Sequence, residues 1–271
     1  MSKIMVMGPR GMLGHEIVKV GHGTIIPMGG DISDASWLSA ALASHHIDVV
    51  INCAGVHNTY GRGTSTPKRM ISSNAIGPNV LAEVCELFGR RLIHVSTDCV
   101  FSGKLGLGLR YNTYQTPDPI DMYGRSKLLG EVEADHVTNV RTSFIGLDHG
   151  LMAWFLSRKP DPSVGAAIEA SRPEVPGWVN AMWSGSTVDE VARRLVTMAD
   201  DPPGGIVHLA TDKSISKDHV LRHIRDQWPE YEQVRIVETH SPRINRALIP
   251  NVEPLPHIES ALARYRLERD E

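Results

Sequence analysis

A tyrosine and a lysine four residues apart, Tyr123 and Lys127, are the side chains in this sequence best suited to move a proton. On a helix, residues i and i+4 lie on one face, so the ammonium group would stand beside the phenol. A nearby cation stabilises phenolate and is expected to lower the pKa of the tyrosine from about 10 toward neutrality, as a general acid for carbonyl reduction requires. The same spacing occurs in ordinary amphipathic helices, so the neighbouring segments carry the argument further.

A hydroxyl group that would complete this chemistry follows a short apolar segment, residues 91–95, which predicts a buried strand. The segment runs directly into Ser96, Thr97, Asp98 and Cys99. The Thr97 hydroxyl is expected to hydrogen-bond a substrate carbonyl while a tyrosine donates its proton, which together would cradle a developing alkoxide.

A glycine turn near the N-terminus predicts a dinucleotide site. Apolar residues 3–7 are followed by the pattern Gly8-Pro9-Arg10-Gly11-Met12-Leu13-Gly14. The first glycine would allow a tight turn, Gly11 would let the backbone approach a pyrophosphate, and Gly14 would let the next helix pack closely on the strand. The helix that opens near Met12 would offer unpaired N–H groups to the anion.

Five apolar segments alternate with helical patterns and predict parallel strands with right-handed crossovers. They cover residues 3–7, 24–28, 48–54, 91–95 and 137–143. We expect an α/β fold with a Rossmann-type doubly wound parallel sheet in residues 1–150. Residues 151–271 would form a smaller C-terminal substrate-binding lobe, with some segments returning to the sheet. Further expected elements are a helix over 74–87, a capping box from Thr187 to Glu190 that opens a helix, a strand over 206–210, a helix from Ser216 and a last helix over 256–266.

The residues after the second predicted strand bear on the choice between NAD and NADP. An NAD-preferring fold usually places an acid there for the ribose diol, but this chain has Met28 and Gly29. Asp31 comes slightly late and, with Ile32, fits an adenine-edge contact. Because Arg10 in the glycine turn is placed to meet a 2′-phosphate, the sequence slightly favours NADP over NAD.

The cofactor contacts expected from these segments come from the glycine turn, the ends of the strands and the helix that follows the third strand. They are Gly8, Arg10, Gly11, Met12, Leu13, Gly14, Asp31, Ile32, Asn52, Ala54, Gly55, Asn74, Ser96, Tyr123 and Lys127. Between the third strand and the next helix, a loop over residues 56–69 contains Arg62, Lys68 and Arg69 and is a candidate to hold a substrate phosphate.

The composition narrows the class of partner and the compartment. With 28 Lys and Arg against 31 Asp and Glu, the formal charge of −3 does not indicate a nucleic-acid binder. The three cysteines show neither disulfide nor metal spacing, no segment has membrane-spanning length, and no metal site is expected. We expect a cytoplasmic protein with a small-molecule substrate, and a homodimer is the default assembly for such an enzyme.

These motifs resemble the extended short-chain dehydrogenase/reductase superfamily, and within it the dTDP-4-dehydrorhamnose reductase-like branch. The resembling segments are the glycine turn and residues 96–103, 119–131 and 141–143, with a less specific one over 179–192. The resemblance implies reduction of a 4-keto-6-deoxy sugar carried on a nucleotide, with hydride from a nicotinamide cofactor, for polysaccharide or glycosylated products. By position, Tyr123 would be the proton donor, Lys127 would hold the nicotinamide ribose, and Thr97 would orient the ketone.

The sequence differs from the pattern of this branch at positions that bear on the substrate. Cys99 stands where a tyrosine is common, Thr113 replaces an acidic residue, and residues 57–62 replace an acidic pair. In the related GDP-fucose synthases a cysteine at this place helps to epimerise the sugar, with a histidine as second acid/base, a role that His149 would fill here. The residues expected to face the sugar are Asp98, Cys99, Val100, Phe101, Trp178 and Asn180.

Three functions therefore stay open at the level of sequence. The leading one is reduction of the 4-keto group. The second is an epimerase, a dehydratase or an epimerase/reductase, in which Cys99 would act on the sugar. The third is a non-catalytic NADP-binding regulatory subunit, against which the complete set of Thr97, Tyr123 and Lys127 argues.

Overall fold

The fold is taken from a computed structural model that describes residues 2–21, 25–57, 65–159 and 172–270. Two predicted features fall partly outside these residues. They are the start of the second strand at Thr24 and the central part of the basic loop, including Arg62.

A six-stranded parallel sheet forms the centre of the fold, in the order β10-β5-β4-β3-β1-β2. Its strands are β1 (Ile4–Met7), β2 (Ile25–Met28), β3 (Val49–Asn52), β4 (Arg91–Val95), β5 (Val137–Thr142) and β10 (Gly205–Leu209). The strand order reverses beside β1, as in a doubly wound fold. The predicted Rossmann-type sheet is thus confirmed, and the strand predicted over 206–210 forms one of its edges.

The short apolar segments form this sheet because both of its faces are covered. In β1, Ile4 and Val6 join one buried apolar cluster, whereas Met5 and Met7 join the other. Successive side chains of a strand point to opposite faces, so each cluster lies on one side of the sheet.

Helices occupy the connections between the strands. They are α1 (Met12–Val20), α2 (Ala35–Ala43), α3 (Pro67–Ile71), α4 (Gly77–Leu87), α5 (Met122–Leu128), α6 (Gly150–Leu156), α7 (Val188–Met198), α8 (Lys217–Gln227) and α9 (Ile258–Asp270). The helix predicted over 74–87 differs at its start, because Ser72–Ile76 form a π-helical turn ahead of α4. The helix predicted from Ser216 is confirmed, with the Ser216 hydroxyl accepting from the His219 N–H.

Smaller sheets are built from the second half of the chain. Their strands are β6 (Phe144–Ile145) with β9 (Ser186–Thr187), β7 (Glu174–Trp178) with β12 (Arg235–Thr239), and β8 (Ala181–Trp183) between β11 (Ile215–Ser216) and β13 (Ile244–Asn245). The division of function at residue 150 remains a prediction.

The capping box predicted at the start of α7 does not form. Thr187 occupies the N-cap, but its buried hydroxyl makes no hydrogen bond. The Glu190 carboxylate lies 3.0 Å from Arg264 Nη2 of α9 instead. An ion pair between the two helices has replaced the local cap.

None of the helices in the described part of the chain is long and apolar enough to cross a membrane.

Candidate active site

The glycine turn has the shape that the sequence predicts. Gly8 adopts φ +76°, and a Cβ at this position would stand 2.8 Å from the Ala54 Cα atom on the neighbouring strand end. A Cβ at Gly14 would overlap the Gly8 carbonyl oxygen, so α1 packs directly on the turn. The Gly11 N–H donates to the Gly8 carbonyl at 3.1 Å and closes the turn.

The described residues leave open space above Gly11. A Cβ added there would meet only the Gly8 carbonyl oxygen, at 3.5 Å, so internal packing does not require a glycine. α1 begins at Met12, directly after this glycine, and the free N–H groups of a helix N-terminus can bind an anion. The Leu13 side chain is buried in the core and Arg10 is exposed, so Leu13 is left to contribute through its backbone.

A cavity of about 510 Å³ lies beside the turn, between the ends of β2 and β3. Four residues predicted to contact the cofactor line it, namely Asp31, Ile32, Ala54 and Gly55. Lys68 and Arg69 of α3 line the same cavity, whereas Arg10 does not. The cationic groups at the adenosine end of the predicted cofactor site are therefore those of α3, which had been assigned to a substrate phosphate.

The Asp31 carboxylate is held by hydrogen bonds from a residue of its own turn. Its carboxylate accepts from the Ser33 hydroxyl at 2.6 Å and from the Ser33 N–H at 2.9 Å. These two hydrogen bonds hold the pKa of Asp31 below its usual value. Asp31 therefore presents an ionised acceptor at the rim of the cavity. Asp34 caps α2 by accepting from the Trp37 N–H at 3.0 Å, as predicted.

Two asparagines that were predicted to touch the cofactor use their side chains inside the protein instead. Asn74 is fully buried, and its amide accepts from the Val56 N–H at 2.7 Å and donates to the Val56 carbonyl at 2.8 Å. Asn74 Nδ2 also donates to the Ser126 hydroxyl at 3.0 Å, which ties α5 to the loop after β3. Asn52 bonds to Ala54 and His94. These contacts occupy both amides inside the protein, and a cofactor contact by either residue remains a prediction.

The Ser96 side chain is also buried and makes its hydrogen bond within the protein. Its hydroxyl donates to Glu131 Oε1 at 2.6 Å. Glu131 also forms a buried two-pronged ion pair with Arg141, whose Nη2 lies 2.7 Å from Glu131 Oε2. A buried carboxylate thus takes the only donor of the Ser96 side chain, and a cofactor contact through Ser96 remains a prediction.

Thr97 stands at the end of β4, where the chain turns into a short 3₁₀ helix, Asp98–Val100. Its hydroxyl accepts from the Cys99 N–H at 3.2 Å and lies 3.3 Å from Asp98 Oδ1, to which it donates. Burial raises the pKa of Asp98, although Arg246 and Lys217 act in the opposite direction. These contacts fix the Thr97 hydroxyl at the carboxyl edge of the sheet.

Tyr123 lies in the first turn of α5, which begins after the N-cap Asp121. The phenol is half-buried and lies close enough to Thr97 for that hydroxyl to influence its pKa, so the structure brings together the two groups predicted to bind the substrate carbonyl. Burial raises the pKa of Tyr123, and nearby Cys99 adds to the rise, against the lowering effect of the Thr97 hydroxyl. The prediction that Lys127 lowers the pKa of Tyr123 is therefore wrong for the protein without cofactor.

Lys127 faces inward from the same helix. Its Nζ donates to the Val95 carbonyl at 2.6 Å and lies 3.4 Å from His94 Nε2. Burial lowers the pKa of Lys127 to about 8, against the opposing influence of Glu131 and Cys53. A Cβ added at Gly55 would lie 3.9 Å from this Nζ, so Lys127 reaches the border of the cofactor cavity.

Arg246, which the sequence did not single out, joins the C-terminal part of the chain to this site. Its Nη1 lies 3.1 Å from Cys99 Sγ, its Nε donates to the Phe101 carbonyl at 3.0 Å, and its Nη2 lies 3.7 Å from the Asp121 carboxylate. Burial, reinforced by Asp98, raises the pKa of the Cys99 thiol to about 12 despite the arginine. The thiol is therefore protonated at neutral pH.

Four further residues predicted to face the sugar have other surroundings. Val100 and Phe101 are fully buried, and the Phe101 ring stacks on Tyr111 with centroids 4.1 Å apart, so their side chains cannot touch a substrate. The rings of Trp178 and Trp154 pack with centroids 5.4 Å apart, and the half-buried Asn180 donates to the His240 carbonyl at 2.9 Å. A substrate role for these last two remains a prediction.

His149, the predicted second acid/base, is exposed at the start of α6, and in the part of the chain that the structure describes no hydrogen bond joins it to Cys99. The histidine that contacts a candidate catalytic side chain is His57, which packs on Tyr123. Its ring lies 4.4 Å from the Tyr123 ring, at an interplanar angle of 61°.

Comparison with known proteins gives one family and a consistent set of relatives. The family model described as RmlD substrate binding domain matches residues 2–251. A dTDP-4-dehydrorhamnose reductase of Mycobacterium tuberculosis is 30% identical over 254 residues, covering 86% of this chain and 80% of that protein. One of Mycolicibacterium smegmatis is 34% identical over 137 residues, which are 48% of this chain and 40% of that protein.

Solved structures agree on the fold. The dTDP-4-dehydrorhamnose reductase of Bacillus anthracis, determined in complex with NADP, superposes with a TM-score of 0.81 at 20% identity, over 99% of each chain. Because the sequences are only 20% identical, this similarity shows a shared fold and nothing further.

Proposed function

The chain belongs to the RmlD substrate binding domain family, a dTDP-4-dehydrorhamnose reductase-like branch of the extended short-chain dehydrogenase/reductases, and on that premise we propose that it is an NAD(P)H-dependent reductase of the 4-keto group of a nucleotide-activated deoxysugar. The observation that carries the proposal is the proximity of the Thr97 hydroxyl to the Tyr123 phenol, beside the glycine turn and Lys127. A module that only binds a nucleotide has no use for a proton donor in this place.

The residues divide the work in a simple way. The nicotinamide supplies hydride to the sugar carbonyl when the cofactor is bound. Thr97 orients the ketone oxygen, and Tyr123 gives it the phenol proton as the alkoxide forms. Because burial raises the pKa of Tyr123, the phenol keeps the proton that a general acid must carry. Lys127 holds the nicotinamide ribose and supports the phenolate that is left.

NADP is the preferred cofactor in this proposal. Lys68 and Arg69 line the cavity at the adenosine end together with Asp31, and the two residues directly after β2, Gly29 and Gly30, carry no acid for a ribose diol. A 2′-phosphate carries the charge that these two cations would attract.

A cytoplasmic location and a homodimeric assembly belong to the proposal as well. Cys53, Cys85 and Cys99 are all free, which suits a reducing compartment. Small enzymes of this size are commonly symmetric dimers, and light scattering on the purified protein tests the assembly.

The epimerase alternative receives no support from the site. An epimerase acting through Cys99 needs a thiolate, and burial raises the pKa of this thiol to about 12. Arg246 holds the sulfur, and His149 is exposed elsewhere.

The proposal is tested by mixing the protein with NADPH or NADH and a dTDP-linked 4-keto-6-deoxyhexose. We expect one NAD(P)H oxidised for each sugar converted, with a 4-hydroxy sugar nucleotide as product. An epimerase or dehydratase that recycles its cofactor would convert the sugar without net oxidation. A regulatory subunit would bind cofactor and leave the sugar unchanged.

A further inference from the structure

The exposed side chain of His57 packs against Tyr123, the proton donor of the proposed reaction. The centroids of the two rings lie 4.4 Å apart at an interplanar angle of 61°, which is the edge-to-face geometry that aromatic pairs favour. Tyr123 is half-buried, so the histidine covers part of its ring on the solvent side. The contact thus joins an exposed residue to the candidate active site.

The backbone that carries His57 is fixed by side chains from later in the chain. The Val56 N–H donates to Asn74 Oδ1 at 2.7 Å, and the Val56 carbonyl accepts from Asn74 Nδ2 at 2.8 Å. The Ser65 hydroxyl donates to the His57 carbonyl at 2.8 Å. Because three backbone atoms of two neighbouring residues are held, the imidazole starts from a defined place although its side chain is exposed.

The same asparagine is also joined to the backbone of Tyr123. Asn74 Nδ2 donates to the Ser126 hydroxyl at 3.0 Å, and that hydroxyl donates to the Tyr123 carbonyl at 2.9 Å. The directions follow from the Val56 N–H, which can only donate and so turns the amide oxygen toward itself. Asn74 is fully buried, so one rigid amide ties the loop of His57 to the helical turn of Tyr123.

The ring contact bears on the position of the phenol oxygen. Rotation of the Tyr123 ring about its own axis leaves this oxygen in place, but a swing of the whole side chain about χ1 would move it. A neighbouring ring fixed to the same buried amide limits that swing. Displacing a reacting group by about 1 Å can cost about a hundredfold in rate, so such a restraint matters for proton donation.

Two segments therefore act on Tyr123. Thr97 and Cys99 influence the pKa of the phenol from the end of β4, whereas His57 contacts its ring from the loop after β3. His57 also begins residues 57–62, where the sequence has replaced the acidic pair of the branch. A carboxylate side chain has no ring to pack edge-to-face, so the contact is a feature of this chain.

We propose that His57 is a positioning residue that directs the Tyr123 phenol toward the sugar carbonyl through the contact between their rings. The inference rests on the proposed function, in which Tyr123 is the proton donor. The ring of His57 performs this role and its nitrogen atoms do not, so His57 neither gives nor takes a proton. The buried Asn74 amide keeps the two residues in place relative to one another.

The first test compares three substitutions of His57. His57→Phe keeps a ring, His57→Gln keeps a polar side chain without a ring, and His57→Ala has neither. We expect kcat to stay within about twofold of the wild type in His57→Phe and to fall about tenfold in the other two, with the Kd for NADPH unchanged in all three. Substitutions of exposed side chains seldom unfold a protein, and Tm measurements check this.

His46→Ala is the matched control, because it removes an exposed histidine between α2 and β3. It should have wild-type kinetics. A merely structural role of His57 would lower Tm and NADPH affinity together with kcat, and wild-type kcat in His57→Ala would also contradict the proposal. Activity that is kept in His57→Gln and lost in His57→Phe would overturn it, because the nitrogen atoms and not the ring would then be required.

The second test needs no turnover. In NMR spectra of the wild-type protein with ¹³C-labelled tyrosine, the Tyr123 ring signals are assigned by their loss in Tyr123→Phe. We expect nuclear Overhauser contacts between the ring protons of His57 and Tyr123, and shifted Tyr123 signals in His57→Gln. Absence of these contacts would overturn the proposal. If no nucleotide sugar is reduced by the wild type, the proposed function fails, and the spectra still decide whether the two rings are in contact.

Discussion

Arg246 Nη1 lies 3.1 Å from Cys99 Sγ, so an arginine that follows β13 holds the residue beside the candidate catalytic threonine. The same guanidinium reaches the Phe101 carbonyl and the Asp121 carboxylate, which caps the helix that carries Tyr123. One side chain therefore fixes the distance between the two segments whose hydroxyl groups meet at the site.

Arg246→Met should separate those segments. We expect kcat with the nucleotide sugar to fall by about ten- to a hundredfold, because small displacements of reacting groups are costly, while the Kd for NADPH stays unchanged. Arg246→Lys keeps the charge but not the fork of donors and should rescue only part of the loss. Wild-type kinetics in Arg246→Met would contradict this positioning role.

Cys99→Ser tests the chemistry of the thiol. Because burial raises the pKa of Cys99 to about 12, the thiol is not a base, and the variant should retain most of the wild-type reductase activity. The wild-type protein should incorporate no solvent deuterium at C3 or C5 of the sugar, as measured by mass spectrometry. Deuterium incorporation by the wild-type protein that is lost in Cys99→Ser would instead support the epimerase hypothesis.

Gly124→Ala probes the close packing of α5 on the 3₁₀ helix. A Cβ at Gly124 would overlap the Cys99 carbonyl oxygen and stand 3.0 Å from Pro119 Cβ. We expect a loss of about 1 to 3 kcal/mol in the free energy of unfolding, together with a fall in kcat. Gly29→Ala is the matched control, since a Cβ there has open space around it. Equal behaviour of the two variants in denaturant titrations would contradict the packing argument.

Lys68→Gln and Arg69→Gln test the choice of cofactor. Each removes a cation from the cavity at the adenosine end and should raise the Kd for NADPH about tenfold, equivalent to about 1.4 kcal/mol, with little effect on NADH. Arg10 does not line the cavity, so Arg10→Gln should leave the ratio of the two Kd values nearly unchanged. If Arg10→Gln alone lost NADPH affinity selectively, Arg10 in the glycine turn, and not α3, would be the contact of the 2′-phosphate.

The elements that the sequence predicted well are those with local signals. Apolar runs bounded by glycines mark the strands, and the spacing of Gly8, Gly11 and Gly14 marks the turn. The rule that parallel strands end at one edge places Thr97, at the end of β4, on the same side of the sheet as the glycine turn.

The features that sequence reasoning missed depend on distant contacts. Arg246 is 147 residues from Cys99 along the chain. Phe101 lies near the catalytic segment in sequence, but its ring turns into a buried apolar cluster. The pKa of Tyr123 rises mainly because the phenol is buried, with a further rise from the nearby acidic groups, and the degree of burial is a property of the whole fold.

Tyr123→Phe is the most direct test of the proposed reaction, because it removes one oxygen atom and the proton it carries. The measurement is NADPH oxidation with a dTDP-linked 4-keto-6-deoxyhexose, alongside the Kd for NADPH by fluorescence. We predict a loss of kcat of at least about a hundredfold with nearly unchanged NADPH affinity. Substantial turnover by folded Tyr123→Phe would contradict the assignment of Tyr123 as the proton donor.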